Sequence, residues 1–285
     1  MMVVAPAQKL RVISWNLLHG QKIPPTQSQE WQVELARAAK TLADEMQPDF
    51  VAMQEVDNFQ ARSGGINQCK LIAEVLQFKF WAYLPTIIGT PGEKWRKVKD
   101  LDKAIITSHN NINSEEASYG IALATNQPIK KLYFKKLGKS LIGMPLMIPK
   151  DDGKGVRFIY VKDEPRVALI AELENGFTIA TTHLSFVPGV NIFQLNKLSA
   201  FLKDLAGISL LVGDLNLPAN LPSKFSGLKS LLSQPTYPSW GPRIQFDYIL
   251  ARKSFLKSAQ LNYKAIAPIN PGISDHIPIG VELQT

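Results

Sequence analysis

Cysteine is almost missing from this chain, since Cys69 is the only one among its 285 residues. No intramolecular disulfide can form, and nothing indicates a secreted fold held together by disulfides. Long apolar runs are missing too, because no stretch reaches the roughly 18 apolar residues of a membrane-spanning helix. Met1 to Leu10 lacks the apolar segment and the small-residue cleavage site of a signal peptide. We therefore expect a soluble, cytoplasmic protein.

What is present suits a sizeable globular core, because 45% of the residues are hydrophobic. No linker-like segment divides the chain, so we expect one domain over residues 1–285 and a monomer. The formal net charge is +8, which favours polyanionic partners. Nucleic acid, phosphorylated headgroups and an anionic membrane surface all fit that charge, and it does not choose among them.

Short apolar strands that end in polar residues recur along the chain. Leu10 to Asn16 and Asp49 to Glu55 are two of them, and Ile208 to Val212 predicts a buried strand that runs directly into Gly213-Asp214-Leu215-Asn216. Further strands are predicted at Phe78 to Leu84 (closed by Pro85), Gly120 to Thr125, Ile129 to Lys136, Val156 to Val161, Arg166 to Leu173, Phe177 to His183, Phe246 to Leu250 and Ile277 to Glu282. Amphipathic spacing predicts helices over Gln29 to Glu45, Ile66 to Gln77 and Ile192 to Leu205. This pattern indicates a mixed α+β fold with packed sheets at the centre and helices outside.

The polar residues at the strand ends are mostly hard oxygen donors. They are Asn16, Glu55, His183, Asp214, Asn216, Asp247, Asp275 and His276. Carboxylates and carboxamides suit Mg²⁺ or Mn²⁺, whereas a zinc site would need several histidines or cysteines, and the chain has four histidines and one cysteine. Phosphoester hydrolysis is the natural chemistry of such a set, because a divalent ion neutralises phosphate oxygens and the leaving oxygen.

Six short motifs, each at a predicted strand end, resemble an ordered set known from one superfamily. They are Ser14-Trp15-Asn16, Gln54-Glu55, Thr182-His183-Leu184, Gly213-Asp214-Leu215-Asn216, Asp247-Tyr248-Ile249 and Ser274-Asp275-His276. In this order they resemble the endonuclease/exonuclease/phosphatase superfamily, which is DNase I-like. The resemblance implies a four-layered α/β sandwich in which two mixed β-sheets pack face to face, flanked by helices, with a phosphoesterase site at one edge.

The resemblance also implies a metal and a water at this site. Glu55 would be the principal ligand of Mg²⁺ or Mn²⁺, helped by Asn16 and by Asp275 or Asp214. Asp214 would activate or orient the attacking water. Asn216 would hold the phosphate or that water.

The phosphate itself is assigned to other residues by the same resemblance. His276 would contact the scissile phosphate, with Asp247 as the carboxylate that orients it. His183 would bind a phosphate oxygen or act as a general acid. Arg166, shortly before the Thr-His-Leu motif, would support the phosphate site.

The substrate stays open at this level. The positive charge and the basic, aromatic segments Lys94 to Lys99 and Lys130 to Lys136 favour a nuclease. Leu18, where abasic-site endonucleases carry an acidic residue, and His183 in place of their tyrosine weaken the abasic-site endonuclease among the nucleases. His183 and the apolar run Leu141 to Pro149 favour a lipid or small-molecule phosphodiesterase or phosphatase as the alternative. An inactive binding module of the same fold is the alternative outside the enzymes, and the complete acidic and imidazole set argues against it.

One apolar segment has an open interpretation, and two histidines lie outside the motifs. The apolar run Leu141 to Pro149, between Lys139 and Lys150, fits a buried connection best and a loop that dips into a lipid surface second, which would allow peripheral membrane contact. His19 and His109 belong to no motif and are expected to be ordinary loop residues.

Overall fold

The structure, a computed structural model, describes residues 9–26, 30–110, 115–149, 156–205, 207–258 and 261–284. Strands and helices are numbered in chain order. The first sheet contains β1 (Lys9–Asn16), β2 (Phe50–Asn58), β3 (Phe80–Gly89), β4 (Trp95–Lys97), β5 (Ile106–Thr107), β6 (Ser118–Thr125), β15 (Asn262–Ala265) and β16 (Ile279–Gln284). The second contains β7 (Ile129–Gly138), β10 (Arg166–Leu173), β11 (Phe177–His183), β12 (Ile208–Asp214), β13 (Lys229–Ser230) and β14 (Asp247–Ala251).

The remaining elements are a separate two-stranded sheet and the helices. The two-stranded sheet pairs β8 (Met144–Pro149) with β9 (Val156–Val161). The helices are α1 (Trp31–Met46), α2 (Gln68–Val75), α3 (Leu101–Ala104), α4 (Val190–Lys203), α5 (Leu221–Ser226) and α6 (Lys253–Ser258), with short 3-10 helices at Leu18–Gly20 and Ala61–Ser63. Within the described ranges, none of these helices has the length and apolar character needed to cross a membrane.

Both large sheets are mixed, and each has one parallel pair that matters for the site. The first sheet runs in the order β15-β16-β1-β2-β6-β3-β4, and the second in the order β13-β14-β12-β11-β10-β7. β1 and β2 are parallel, as are β11 and β12. Because parallel strands end at the same edge of a sheet, the polar residues that terminate each pair lie side by side.

Apolar side chains divide the molecule into four layers. Val12 of the first sheet and Val212 of the second belong to one core between the sheets. Leu42 of α1 packs in a second core on the outer face of the first sheet, and Leu198 of α4 packs in a third on the outer face of the second. The expected sandwich of two mixed sheets between helices is therefore confirmed.

Most predicted elements are present, with changes at their ends. The first predicted helix begins at Gln29, which lies outside the described residues, and the structure has it as Trp31–Met46. The second is shorter than predicted, because the Asn67 side chain accepts a hydrogen bond from the Lys70 amide and caps the helix there. The prediction that Pro85 closes the third strand is wrong. β3 continues to Gly89 because Pro85 lies at a register shift opposite β6, where a missing N–H is tolerated.

The preferred interpretation of Leu141 to Pro149 as a buried connection is wrong at the start of the run. Leu141 and Ile142 are 98% and 66% exposed, and β8 and β9 form a two-stranded sheet of their own. On β9, Phe158 and Tyr160 are 71% and 63% exposed. Apolar composition therefore does not correspond to burial at these positions. Lys150, the predicted flank of this run, lies outside the described residues.

Candidate active site

The ends of β1 and β2 bring an amide between two carboxylates. Asn16 Nδ2 donates to Glu55 Oε1 and to Asp214 Oδ2, both at 3.0 Å. The Asn16 oxygen faces away and accepts from the Leu18 amide at 3.0 Å. Glu55 lies at the register shift of β2 and has a φ of 54°, an uncommon value outside glycine. Asn16 thus contacts both carboxylates through its amino group. The prediction that Asn16 is also a metal ligand stays a prediction.

The second sheet supplies the opposite side of the site. His183, Asp214 and Asp247 end or begin three adjacent strands and lie in register with one another. The close pairing of β12 with β11 requires glycine at position 213, because a Cβ there would lie 1.9 Å from the Thr182 carbonyl oxygen of the neighbouring strand. The carboxylate of Asp214 therefore emerges at a point where only glycine can precede it.

Asn216 connects Asp214 with His183. The Asn216 amide donates to Asp214 Oδ1 at 2.8 Å, which closes the turn after β12. Asn216 Nδ2 lies 3.0 Å from the Leu184 carbonyl oxygen and 3.2 Å from His183 Nε2. Since Nδ2 is a donor, His183 Nε2 accepts, and the ring proton of a neutral His183 resides on Nδ1.

The two histidines have opposite protonation states. Burial lowers the pKa of His183 well below its usual value, and nearby Arg166 adds to the effect. Burial also lowers the pKa of His276, but the Asp247 carboxylate, whose Oδ2 lies 2.7 Å from His276 Nδ1, outweighs it and raises that pKa well above normal. Asp214 Oδ2 lies 3.7 Å from His183 Nε2 and 3.8 Å from His276 Nε2. One carboxylate thus stands between a neutral and a cationic imidazole.

Glu55 and Asp275 offer the best fit to a divalent cation. Burial, together with the charge of Asp275, raises the pKa of Glu55 to about 7. Asp275 Oδ1 is buried and has no hydrogen-bond partner among the described residues. Two buried carboxylates that repel each other, one with an orphaned oxygen, are well suited to hard cations such as Mg²⁺ or Mn²⁺.

A second acidic cluster is less suited to a cation. Ligand atoms of Asp214, Asp247 and His276 lie within 4.8 Å of one another. However, His276 Nδ1 is already hydrogen-bonded to Asp247, and a protonated imidazole has no lone pair for a metal. These three residues fit proton transfer and charge stabilisation better than metal binding.

Arg166 lies at the edge of the same cavity. Its guanidinium is buried, 3.4 Å from Asp163 Oδ1 and 5.8 Å from the Phe186 ring centre. Arg166 Nε has no partner among the described residues. Burial raises the pKa of neighbouring Glu164 to about 7, against the effect of Arg166. Arg166 therefore lines the cavity with a donor still available, and its support of the phosphate site stays a prediction.

Every predicted site residue lies in or directly behind one cavity of about 520 Å³. The sequence-based prediction missed several of its walls, including Val161, Phe186, Tyr237 and Phe246. It also missed His19 and Arg62, which line the cavity, whereas His109 is an exposed loop residue as expected. Proximity in sequence to the motifs was the one signal that could have indicated these two residues. His19 follows the Ser-Trp-Asn motif by three residues, and Arg62 follows Glu55 by seven.

Comparison with known proteins agrees with this geometry. The sequence model described as "Endonuclease/Exonuclease/phosphatase family" matches residues 13–276. The chain belongs to this family. A search of curated proteins gives no significant match. The motif order that suggested the resemblance is thus confirmed at the level of the family.

Solved structures of endonuclease/exonuclease/phosphatase proteins share the fold at low identity. A Bacteroides vulgatus family member is 15% identical, covers 97% of this chain and 98% of its own, and has a TM-score of 0.60. A Bacteroides thetaiotaomicron mannosyl-6-phosphatase is 13% identical, with 96% and 99% coverage and a TM-score of 0.59. A humanized D. rerio TDP2 is 15% identical, with 97% and 99% coverage and a TM-score of 0.52. Identities this low show the fold alone.

Replacing Glu55 with glutamine should stabilise the metal-free protein. Folded Glu55 has a pKa of about 7 against an ordinary value of 4.5, so the native state loses stability as pH rises through that interval. We expect Glu55→Gln to raise the melting temperature at pH 7.5, by about 2–4 °C for each kcal/mol gained, and to have no such effect below pH 4.5. Thermal unfolding in EDTA measures this.

Added Mg²⁺ should then stabilise wild type much more than Glu55→Gln. Binding to the native state raises the melting temperature of wild type, and Glu55→Gln should remove most of that rise. Glu74→Gln, on the exposed surface of α2, is the matched control and should behave as wild type. An equal Mg²⁺ shift in wild type and Glu55→Gln would place the metal elsewhere.

Proposed function

We propose that this chain is a Mg²⁺- or Mn²⁺-dependent phosphoesterase in which a water attacks phosphorus in line with the leaving oxygen. The observation that carries the proposal is the setting of Asp214. Burial raises its pKa to about 6, and its two oxygens accept from Asn16 and from the Asn216 amide. A buried carboxylate with a pKa near neutrality, held in one orientation, is suited to take a proton from water.

The surrounding residues have complementary roles in this proposal. Glu55 and Asp275 would hold the metal, which would supply charge neutralisation at the phosphate and leaving oxygens. Protonated His276 donates from Nε2 to a phosphoryl oxygen as negative charge develops there. Neutral His183 is a poor general acid, so we assign it no proton donation to the leaving group. Since its Nε2 accepts from Asn216, the hydrogen bond that we assign it to the phosphate is donated by its Nδ1–H.

The cavity favours a small phosphoester, or the end of a flexible chain, over the interior of a duplex. Its volume of about 520 Å³ lies in the ~300–1,000 Å³ range of small-molecule sites. Val161, Phe186 and Tyr237 give it apolar walls beside the polar centre. The net charge of +8 still supports a nuclease, so nucleic acid belongs in any substrate test.

A substrate panel tests the proposal directly. Purified protein would be incubated with sugar phosphates, inositol phosphates, a bis-aryl phosphodiester, sphingomyelin, single-stranded DNA and plasmid DNA, each with Mg²⁺, Mn²⁺ or EDTA. We expect metal-dependent turnover that is fastest on a small ester. Faster turnover of DNA would assign the nuclease, and no turnover of any compound would favour the inactive binding module.

A second candidate is a phosphodiesterase that acts on lipids at a membrane surface. The exposed side chains of Leu141, Phe158 and Tyr160 favour it, because they lie on or next to the β8–β9 hairpin. The last residue of that hairpin, Val161, lines the cavity, and exposed Lys162 follows it. An apolar surface with flanking cations at the rim of the site suits an anionic bilayer.

Vesicle sedimentation should reveal peripheral membrane contact. We expect binding to phosphatidylserine-containing vesicles, and Leu141→Glu/Phe158→Glu should weaken it at least ~10-fold, since burying each side chain contributes about 1.5–3 kcal/mol. Val33→Glu, on the exposed face of α1, is the control and should bind as wild type. Equal sedimentation of wild type and the double variant would remove the lipid candidate.

The proposal extends to organisation and location. We propose one domain over residues 1–285 that acts as a monomer in the cytoplasm. Cys69 is a buried free thiol, as expected for a small apolar core residue, and burial raises its pKa. Light scattering after gel filtration tests the monomer.

A further inference from the structure

Arg62 occupies a wall of the cavity that the proposed chemistry does not use. It lies in the 3-10 helix that follows β2, on the side of the first sheet. Arg62 Nε and Nη2 donate to the two oxygens of Asp57, each at 2.8 Å, and Ser63 Oγ donates to Asp57 Oδ2 at 2.9 Å. This bidentate arrangement fixes the plane and direction of the guanidinium before any ligand binds.

The ion pair is oriented towards the cavity. The Asp57 side chain is fully buried, whereas 26% of the Arg62 side chain is exposed, and Arg62 lines the cavity. Arg62 Nη1 has no hydrogen-bond partner among the described residues, and the Tyr119 ring lies 5.7 Å from the guanidinium carbon. If the Asp57–Arg62 ion pair were purely structural, the guanidinium of Arg62 would not need to line the cavity. Nη1 is thus left without a hydrogen bond on a side chain that lines the cavity, with the Glu55 charge near enough to raise the pKa of Arg62 against the effect of burial.

His19 lies on the same wall. Burial lowers its pKa to about 3, and the charge of Arg62 adds to the effect, so the two side chains are neighbours and the imidazole is neutral. Its ring lies 6.1 Å from that of Trp31, centre to centre, and its backbone has a φ of 45°. The Gln68 side chain holds this loop by donating to the His19 carbonyl oxygen at 2.6 Å. The wall thus combines a fixed cation with a neutral imidazole.

We propose that Arg62, with His19 beside it, binds a second oxyanion of the substrate, a phosphoryl or carboxylate group that is not hydrolysed. His183 ends β11 of the second sheet and His276 is hydrogen-bonded to Asp247 of β14, and these two residues serve the scissile phosphate. Arg62 instead follows β2 of the first sheet, on the side of Glu55. A guanidinium with a free edge prefers oxyanions to hydroxyl groups. The proposal rests on the proposed function, because a cation at Glu55 must offset that carboxylate before an anion can approach.

The test compares ligands that differ only in a second oxyanion. Glycerol 3-phosphate is paired with 3-phosphoglycerate, and fructose 6-phosphate with fructose 1,6-bisphosphate, so that two spacings are covered. Affinities are taken from ligand-induced melting shifts of wild type in Mg²⁺. We expect the second oxyanion to tighten binding about 10- to 100-fold in at least one pair, as one charge-assisted contact does.

Substitutions of Arg62 then test whether this residue causes the tighter binding of ligands with a second oxyanion. Arg62→Lys keeps the positive charge but loses the planar guanidinium with its paired N–H donors. It should lose most of the preference for the ligand with two oxyanion groups, and it should bind the ligand with one oxyanion group within about two-fold of wild type. Asp57→Asn/Arg62→Gln, which leaves no unpaired buried charge, should lose all of that preference. Arg37→Ala, on the exposed surface of α1, removes one positive charge away from the cavity and should keep it.

Failure of this inference is distinct from failure of the proposed function. No preference for the second oxyanion in wild type, or a preference that survives in both Arg62 variants, would overturn the inference whether or not the protein is an enzyme. Turnover of the substrate panel is measured separately. Its absence in wild type would overturn the phosphoesterase, while the melting shifts would still decide the role of Arg62.

Discussion

Asp214→Asn should reduce turnover by about 10²- to 10⁴-fold, the usual contribution of a general base. Asparagine keeps the size of the side chain and an oxygen for the Asn216 amide, but it cannot take a proton from water. Asparagine loses the hydrogen bond that Asp214 Oδ2 accepts from Asn16, but it also removes a buried charge whose pKa burial and Asp247 raise, so the melting temperature should change little. Steady-state kinetics on the best substrate, with circular dichroism and melting curves, measure both effects.

The control is a substitution of the same type on the surface. Asp204 follows α4 and is exposed, so Asp204→Asn should leave kcat and KM unchanged. If Asp214→Asn retained activity within about ten-fold of wild type, another group would activate the water. A fall in melting temperature together with lost activity would instead indicate that Asp214 holds the two sheets together.

His276→Ala should cost about 10²- to 10³-fold in kcat, because it removes a cationic donor from a buried site. Asp247→Asn should cost less, since the ring remains but loses the partner that keeps its pKa high. In addition, Asp247→Asn should shift the alkaline limb of the pH profile to lower pH, because His276 would then lose its proton earlier. Kinetics over pH 5 to 10 distinguish this positioning role from a merely structural one.

The double variant provides the decisive comparison for this pair. His276 and Asp247 act as one unit, so their effects should be far from additive, and Asp247→Asn in a His276→Ala background should change little. His109→Ala, at an exposed loop position, is the control and should have wild-type activity. Additive losses would show that Asp247 acts independently of His276.

The sequence was informative where strand ends determine the site. Asp214 and His183 could be assigned to strand ends because apolar runs lead into them, and the parallel pairing of β11 with β12 brings them together in the structure. The family resemblance supplied the packing of two sheets between helices and the expected roles, which periodicity could not. The protonation states of the two histidines were beyond the sequence, because they depend on Asp247 and Arg166, which only the fold brings close.

The residues and segments that the sequence did not predict correctly have a common physical cause. His19 and Arg62 follow strand ends on short irregular turns, and only tertiary contacts with Gln68 and Asp57 determine where they point. The start of the run Leu141 to Pro149 was misjudged because apolar composition indicates a strand, whereas burial depends on whether another layer covers it. Local patterns thus predicted elements and their chemistry better than the environment of residues between the elements.

Hydrolysis in H₂¹⁸O is the most direct test of metal-dependent attack by water on phosphorus. Wild type would act on its best substrate in Mg²⁺ or Mn²⁺, and the products would be analysed by mass spectrometry. We predict one ¹⁸O atom in the phosphate product and none in the alcohol, with turnover abolished by EDTA and restored by the metal. Label in the alcohol, or full turnover in EDTA, would contradict the mechanism.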